Sequence, residues 1–128
     1  MKTAKLAWIL RVVAAGILLQ TLFFKFSGAA ESIYIFSTLG IEPYGRIGSG
    51  IAELICAILI LIPKTTWIGA FGASGIMTGA ILSHLFVLGI VIENDGGFLF
   101  LLAIIVLLCC LTLLYFDKNK LFNLLKLK

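Results

Sequence analysis

A chain of 128 residues that is 62% hydrophobic and only 12% charged, with a mean hydropathy of +1.19, cannot clothe a folded domain in polar surface, which excludes an ordinary water-soluble enzyme. At about 20 residues per helical crossing, four crossings use roughly 80 residues and leave only loops and a tail, so the expectation is a single integral membrane domain over residues 1–128. The net charge of +4 does not indicate nucleic acid, because the basic residues are not interleaved with aromatics on a polar face.

In chain order, long apolar runs predict transmembrane helices over residues 6–24, 47–62, 67–92 and 98–116, an all-α four-helix bundle. The separators carry turn chemistry: Ser27-Gly28 and Glu42-Pro43-Tyr44-Gly45 between the first two runs, Pro63-Lys64-Thr65-Thr66 between the middle pair, and Glu93-Asn94-Asp95-Gly96-Gly97 before the last. The tight middle turn makes the second and third helices antiparallel neighbours. Within the first separator, residues 33–39 are apolar, which predicts a short interfacial or re-entrant segment between helices 1 and 2. Residues 117–128 alternate Lys with Leu and Phe, the pattern of a basic amphipathic tail on anionic headgroups or of a plain stop-transfer tail.

Lys2, Lys5, Arg11, Lys64, Lys118, Lys120, Lys126 and Lys128 fall on one side of this four-span arrangement, and only Lys25 and Arg46 on the other. The positive-inside rule then places both termini in the cytoplasm, with the bacterial inner membrane as the expected location. A competing reading takes the basic start, the apolar stretch and Ser27-Gly28-Ala29 as a signal peptide with its cleavage site, but Arg11 and Lys25 sit badly for one.

Helical rise places Glu53 roughly 10 Å inside the outer end of the second helix, His84 a similar depth inside the third and Gln20 inside the first. Lys25 and Arg46 stand above them at the mouth. Arg46 and Glu53, seven apart, share a helix face, whereas Gln20 and Lys25 differ by about 140°, which makes Thr21 an alternative inward partner for that layer. An ionised carboxylate at this depth requires a counter-ion, either Arg46 or Lys25.

Two readings of this layer stand side by side. One is a structural ion pair; the other is a polar pocket, formed by Glu53, His84, Arg46, Lys25 and Gln20, that accepts a quinone-like or other amphiphilic ligand. No ligand spacing supports a metal at Glu53 and His84, a second axial histidine for haem is missing, and no catalytic signature is present. Arg11 is expected to snorkel to headgroups. Cys56, Cys109 and Cys110 read as small apolar fillers, although a thiol pair across helices is geometrically allowed. Gly72, Gly75, Gly79 and Ser83 form a small-residue face on the third helix, and Gly45, Ser49 and Ala52 open the second. Those faces serve either a tight hairpin or, through Gly75 and Gly79, a homodimer.

Four stretches carry a family resemblance: Lys25-Phe26-Ser27-Gly28, Gly40-Ile41-Glu42-Pro43, Gly48 with Glu53-Leu54, and Ser83-His84-Leu85. With them the chain resembles the DoxX-like small membrane proteins of bacteria, from Arg11 through the fourth helix. The resemblance implies a four-helix membrane bundle and, for some relatives, membership in membrane oxidoreductase assemblies linked to thiosulfate or thiol oxidation and the quinone pool. Lys25, Glu42, Arg46, Glu53 and His84 are its motif-bearing polar residues. With no flavin, haem or dinucleotide motif in the chain, electron transfer would need a partner protein. The expected role is therefore an accessory subunit of a membrane redox complex. Its alternatives are a noncatalytic assembly factor for membrane proteins and a small solute or proton carrier.

Overall fold

The computed structural model describes residues 2–92 and 96–117. The expected basic tail beyond Asp117, and Glu93 and Asp95, lie outside the described residues. Helix α1 runs Lys2–Ser27, α2 Ala30–Thr38, α3 Tyr44–Leu61, α4 Thr66–Ser83 and α5 Phe98–Phe116, and α4 continues into a π-helical turn, His84–Leu88. Four of these elements are long and apolar enough to cross a membrane: Lys5–Ser27, Tyr44–Leu61, Thr66–Leu88 and Phe98–Phe116.

Glycines set the helix ends more sharply than the apolar runs do. At the close of α1, Gly28 takes φ +71°, its N–H reaches the Lys25 carbonyl, and the Ala29 N–H reaches the Phe24 carbonyl. That paired closure is a Schellman motif, so the helix stops at a glycine and not where hydropathy falls. Gly40 repeats it behind α2, with φ +79° and N–H bonds from Gly40 to Ser37 and from Ile41 to Phe36. These two motifs explain the glycines of Lys25-Phe26-Ser27-Gly28 and Gly40-Ile41-Glu42-Pro43. The peptide between Glu42 and Pro43 is cis.

The third predicted helix, residues 67–92, ends early. Gly89 at φ +80° donates its N–H to the His84 carbonyl at 2.7 Å, closing a wider ring than an α-turn, and the chain leaves the helix after Leu88. Residues 90–92 are apolar for a different reason: Ile92 is fully buried, outside any helix. The second predicted helix starts three residues earlier than expected, directly after Pro43.

Helix α1 packs chiefly on α3 and α5, and α4 on the same two, so the four long helices form a ring in the order α1, α3, α4, α5. Alternating directions bring the start of α1 and the end of α5 to one end of the bundle. At that end the core is tight and made of small side chains: Ala14, Ala15, Ala57, Ala70, Ala73, Cys56, Cys109 and Cys110, filled in by Leu18, Ile60, Val106 and Leu113. All three cysteines are free and buried. Thr66 fastens the α3–α4 turn, its buried hydroxyl donating to the carbonyls of Ile60 and Ile62, both at 2.9 Å. Large apolar residues such as Phe23, Phe71 and Leu108 are exposed around the outside, as lipid-facing helices require.

The glycine face of α4 is used differently from the expectation. A Cβ on Gly69 would meet the backbone of Cys56 and Ile60, and one on Gly72 the Cys56 sulfur, whereas Gly75 and Gly79 have open space beside them. The close approach to α3 is therefore made at Gly69 and Gly72. Gly75 and Gly79 take no part in it, because α4 has already diverged from α3 at that level.

Candidate functional site

The other end of the bundle is hollow. Where α1, α3, α4 and α5 carry larger and polar side chains they stand apart around a cavity of about 480 Å³, within the range of small-molecule sites. Helix α2 closes this end: Ser32 and Phe36 are buried and both line the cavity. The segment expected to be interfacial or re-entrant is thus a helix that lids the bundle. Its placement follows from its own pattern, Ser32, Ile35, Phe36 and Leu39 returning to one face at helical spacing.

At the polar end of the cavity Lys25 Nζ lies 2.6 Å from Glu53 Oε1 and also donates to Ser49 Oγ at 3.3 Å. The Glu53 side chain is 3% exposed. The ammonium stands 5.5 Å from the centre of the Phe36 ring, so the lid helix contributes a cation–π contact to the pair. Spacing explains the convergence. Arg46, Ser49 and Glu53 recur at three and four residues along α3, and Leu18, Thr21, Leu22 and Lys25 do the same along α1. Glu53 is left half satisfied: Oε2 is buried with no hydrogen-bond partner among the described residues.

Of the two candidate counter-ions, Lys25 is the one that pairs with Glu53. Arg46 turns the other way: its Nε donates to Glu42 Oε1 at 2.9 Å and Oε2 at 3.2 Å, and its Nη1 donates to the Lys25 carbonyl. It does not line the cavity. One guanidinium thus ties the start of α3, the loop before it and the Lys25 carbonyl in the last turn of α1, which also accepts the Gly28 N–H. It is a positioning residue for Lys25. Arg46→Ala is expected to destabilise the protein by about 2 kcal/mol, and Arg46→Lys to recover little because an ammonium cannot span the same acceptors; thermal unfolding in detergent measures both.

His84 opens the π-turn and is 4% exposed. Its Nδ1 lies 2.9 Å from the Gly89 carbonyl oxygen, an acceptor only, so Nδ1 carries a hydrogen. The ring meets Phe100 of α5 edge-on at 5.4 Å, and the residue lines the cavity. The π-turn is what swings the His84 ring onto the helix end while the following chain leaves.

Gln20 also lines the cavity but is exposed, because it stands off the inward stripe of Leu18, Thr21 and Lys25. Thr21 faces the cavity too, with its hydroxyl donated to the Leu18 carbonyl at 2.8 Å. Ser32, Ser49 and Phe36 are site residues that the polar-depth argument passed over. The signal for Ser32 was its place on the apolar stripe it shares with Ile35, Phe36 and Leu39, and for Ser49 its spacing between Arg46 and Glu53. Arg11 lies far from this layer, its guanidinium 4.7 Å over the Trp8 ring.

The arrangement combines apolar walls with a buried ion pair and a few hydroxyl, amide and imidazole groups. No curated protein and no solved structure matches the chain. The model of one family, DoxX, matches residues 6–88, from α1 through the π-turn. Since that match takes in Lys25, Ser49, Glu53, His84 and the lid helix, and spans more than half of the chain, the protein belongs to the DoxX family and is a membrane protein of that family.

Proposed function

We propose that this DoxX-family protein holds a quinone-like or similar amphiphilic ligand in the cavity between its helices and serves as an accessory subunit beside a redox partner. The polar head would sit at Lys25 and Glu53 and the hydrocarbon portion among the apolar walls. In this reading the membrane is the bacterial inner membrane and the hollow half faces its outer leaflet. One observation carries the proposal: a buried ion pair borders an apolar cavity of about 480 Å³, and one carboxylate oxygen of that pair has no partner among the described residues. A pair kept only as a brace gains most when all of its acceptors are satisfied.

The residues present fit a quinone-type head group. Lys25 has three N–H donors, two of them engaged by Glu53 and Ser49, and the third can be offered to a ring oxygen. When bound, such a ligand supplies two-electron redox chemistry, and the chain supplies a charged anchor and a dry, apolar enclosure.

Native mass spectrometry of protein extracted gently from its own membrane, with lipid extraction of the same sample, tests the reading. Wild type is expected to retain a defined amphiphile, and Glu53→Gln to fold normally yet retain at least about tenfold less. Bulk lipid alone, equal in both proteins, would leave the ion pair as a brace and remove the ligand. The open space beside Gly75, which unlike Gly79 does not line the cavity, favours a second reading, an assembly factor that offers this face of α4 to other membrane helices. Stable recovery of several unrelated membrane proteins in mild detergent, in place of one stoichiometric redox partner, would support it.

A further inference from the structure

The seam between α3 and α4 is closed in one half of the molecule and open in the other. In the tight half a Cβ on Gly72 would meet the Cys56 sulfur. Seven residues on along each of these antiparallel helices, a step that keeps the same face and the same change of depth, stand Gly79 on α4 and Ser49 on α3, and both line the cavity. At this level a Cβ on Gly79, or on Gly48 next to Ser49, would meet no neighbouring atom within 4 Å. Both glycines are exposed. Around the helix, Gly79 falls between Gly75 and Leu82, which are exposed and do not line the cavity, and Ile76 and Ser83, which do. It is therefore the edge at which the lipid-facing surface of α4 passes into the cavity wall. Along the same helix the hydroxyls of Ser74, Thr78 and Ser83 each donate to the carbonyl four residues back, bonds that favour a bent helix. On α1 and α5 the wall is bulkier, with Ile17, Phe24, Phe98 and Leu102.

We infer that the cavity opens sideways to the bilayer through this seam and that its amphiphile enters and leaves past Gly79 and Gly48. This rests on the amphiphile-binding reading and adds the route to it. Gly79 lies nine residues before the end of the Thr66–Leu88 span, roughly 13 Å from it, so the opening faces hydrocarbon and not headgroups. A cavity of about 480 Å³ encloses a drug-sized molecule, so a tail of membrane length has to run out through the seam. A head that enters there comes to Ser49, which accepts from the Lys25 ammonium.

The probe for the test is decyl-para-benzoquinone. The full chain in nanodiscs of zwitterionic lipid is loaded with it and mixed with an excess of empty vesicles, and the probe retained on the protein is followed over time by native mass spectrometry. Gly79→Phe is expected to slow release at least about tenfold. Gly48→Phe, across the seam and outside the cavity wall, is expected to slow it as well, so the test does not depend on one variant folding. Leu82→Trp, which adds aromatic bulk to the lipid-facing surface of α4 and does not touch the cavity wall, is expected to release at the wild-type rate. A loosened bundle would free the probe faster, so slowing is not a by-product of lost stability. Release at the wild-type rate or faster from the folded seam variants overturns the route, while retention by wild type keeps the amphiphile cavity. Equal slowing in Leu82→Trp overturns the placement of the opening at Gly79. No retention of the probe by wild type removes the amphiphile-binding reading and the route with it.

Discussion

Lys25→Met is expected to cost about 3–5 kcal/mol of stability, the largest effect of any single substitution in the polar layer. The reason is the partner left behind. Glu53 would keep its place in the bundle with both oxygens unpaired, since Arg46 is engaged by Glu42 and by the Lys25 carbonyl and does not line the cavity. Removing the carboxylate as well, in Lys25→Met with Glu53→Leu, is expected to return most of that loss, because the buried charge is gone and apolar groups of similar size take its space. Unfolding in mixed micelles, followed by circular dichroism for the two single variants and the double, gives the coupling between the sites. A Lys25→Met protein within about 1 kcal/mol of wild type would mean that the pair is solvated and the cavity wet.

The second large effect is expected at the opposite end of the bundle. A Cβ on Gly69 would lie 2.6 Å from the Cys56 carbonyl oxygen and 2.8 Å from the Ile60 nitrogen, both backbone atoms of α3 that cannot rotate away. Gly69→Ala must therefore push α4 off α3, at an expected cost of about 3 kcal/mol, and Gly69→Val more. Gly75→Ala, on the same helix with open space beside it, is expected to be neutral or slightly stabilising, since alanine is the better helix former. Thermal unfolding of the two alanine variants side by side checks the contrast. Equal effects at Gly69 and Gly75 would show that helix propensity, and not the α3–α4 contact, governs both.

These two sites divide the molecule. Around Gly69 the small side chains Ala57, Ala70, Ala73, Cys56 and Cys110 bring the helices into direct contact, while around Glu53 the side chains hold them apart under the lid of α2. Both halves belong to the same four helices. The difference lies in side-chain volume, which sets interhelical distance when no hydrophobic driving force between helices does so.

Several features could be read before any coordinates. Four apolar runs of spanning length leave a single architecture for their backbone polar groups, but the seven-residue interval from Arg46 to Glu53 does not show that only Glu53 lines the cavity while Arg46 turns to Glu42 and the Lys25 carbonyl. That Glu53, Lys25 and His84 fall in one layer of the bundle follows from constant helical rise, and all three line the same cavity. The early end of α4 was not legible, because residues 90–92 are as apolar as the helix before them. Only the left-handed backbone at Gly89 and the bond from His84 to its carbonyl separate the two.

Composition and periodicity thus determined that this is a membrane-spanning helical bundle with a polar layer in one half, since lipid admits few other solutions for such a chain. Which cation answers Glu53 was settled by packing. Lys25 and Arg46 are equally plausible by depth and charge, and the choice depends on Glu42 standing one turn from Arg46 and on α1 ending at Gly28 beside it. Whether the layer encloses space was likewise beyond one-dimensional reading. A cavity is the difference between helix separation and side-chain volume summed over five elements, and it exists here because α2 folds back over the gap that α1, α3, α4 and α5 leave at their polar end.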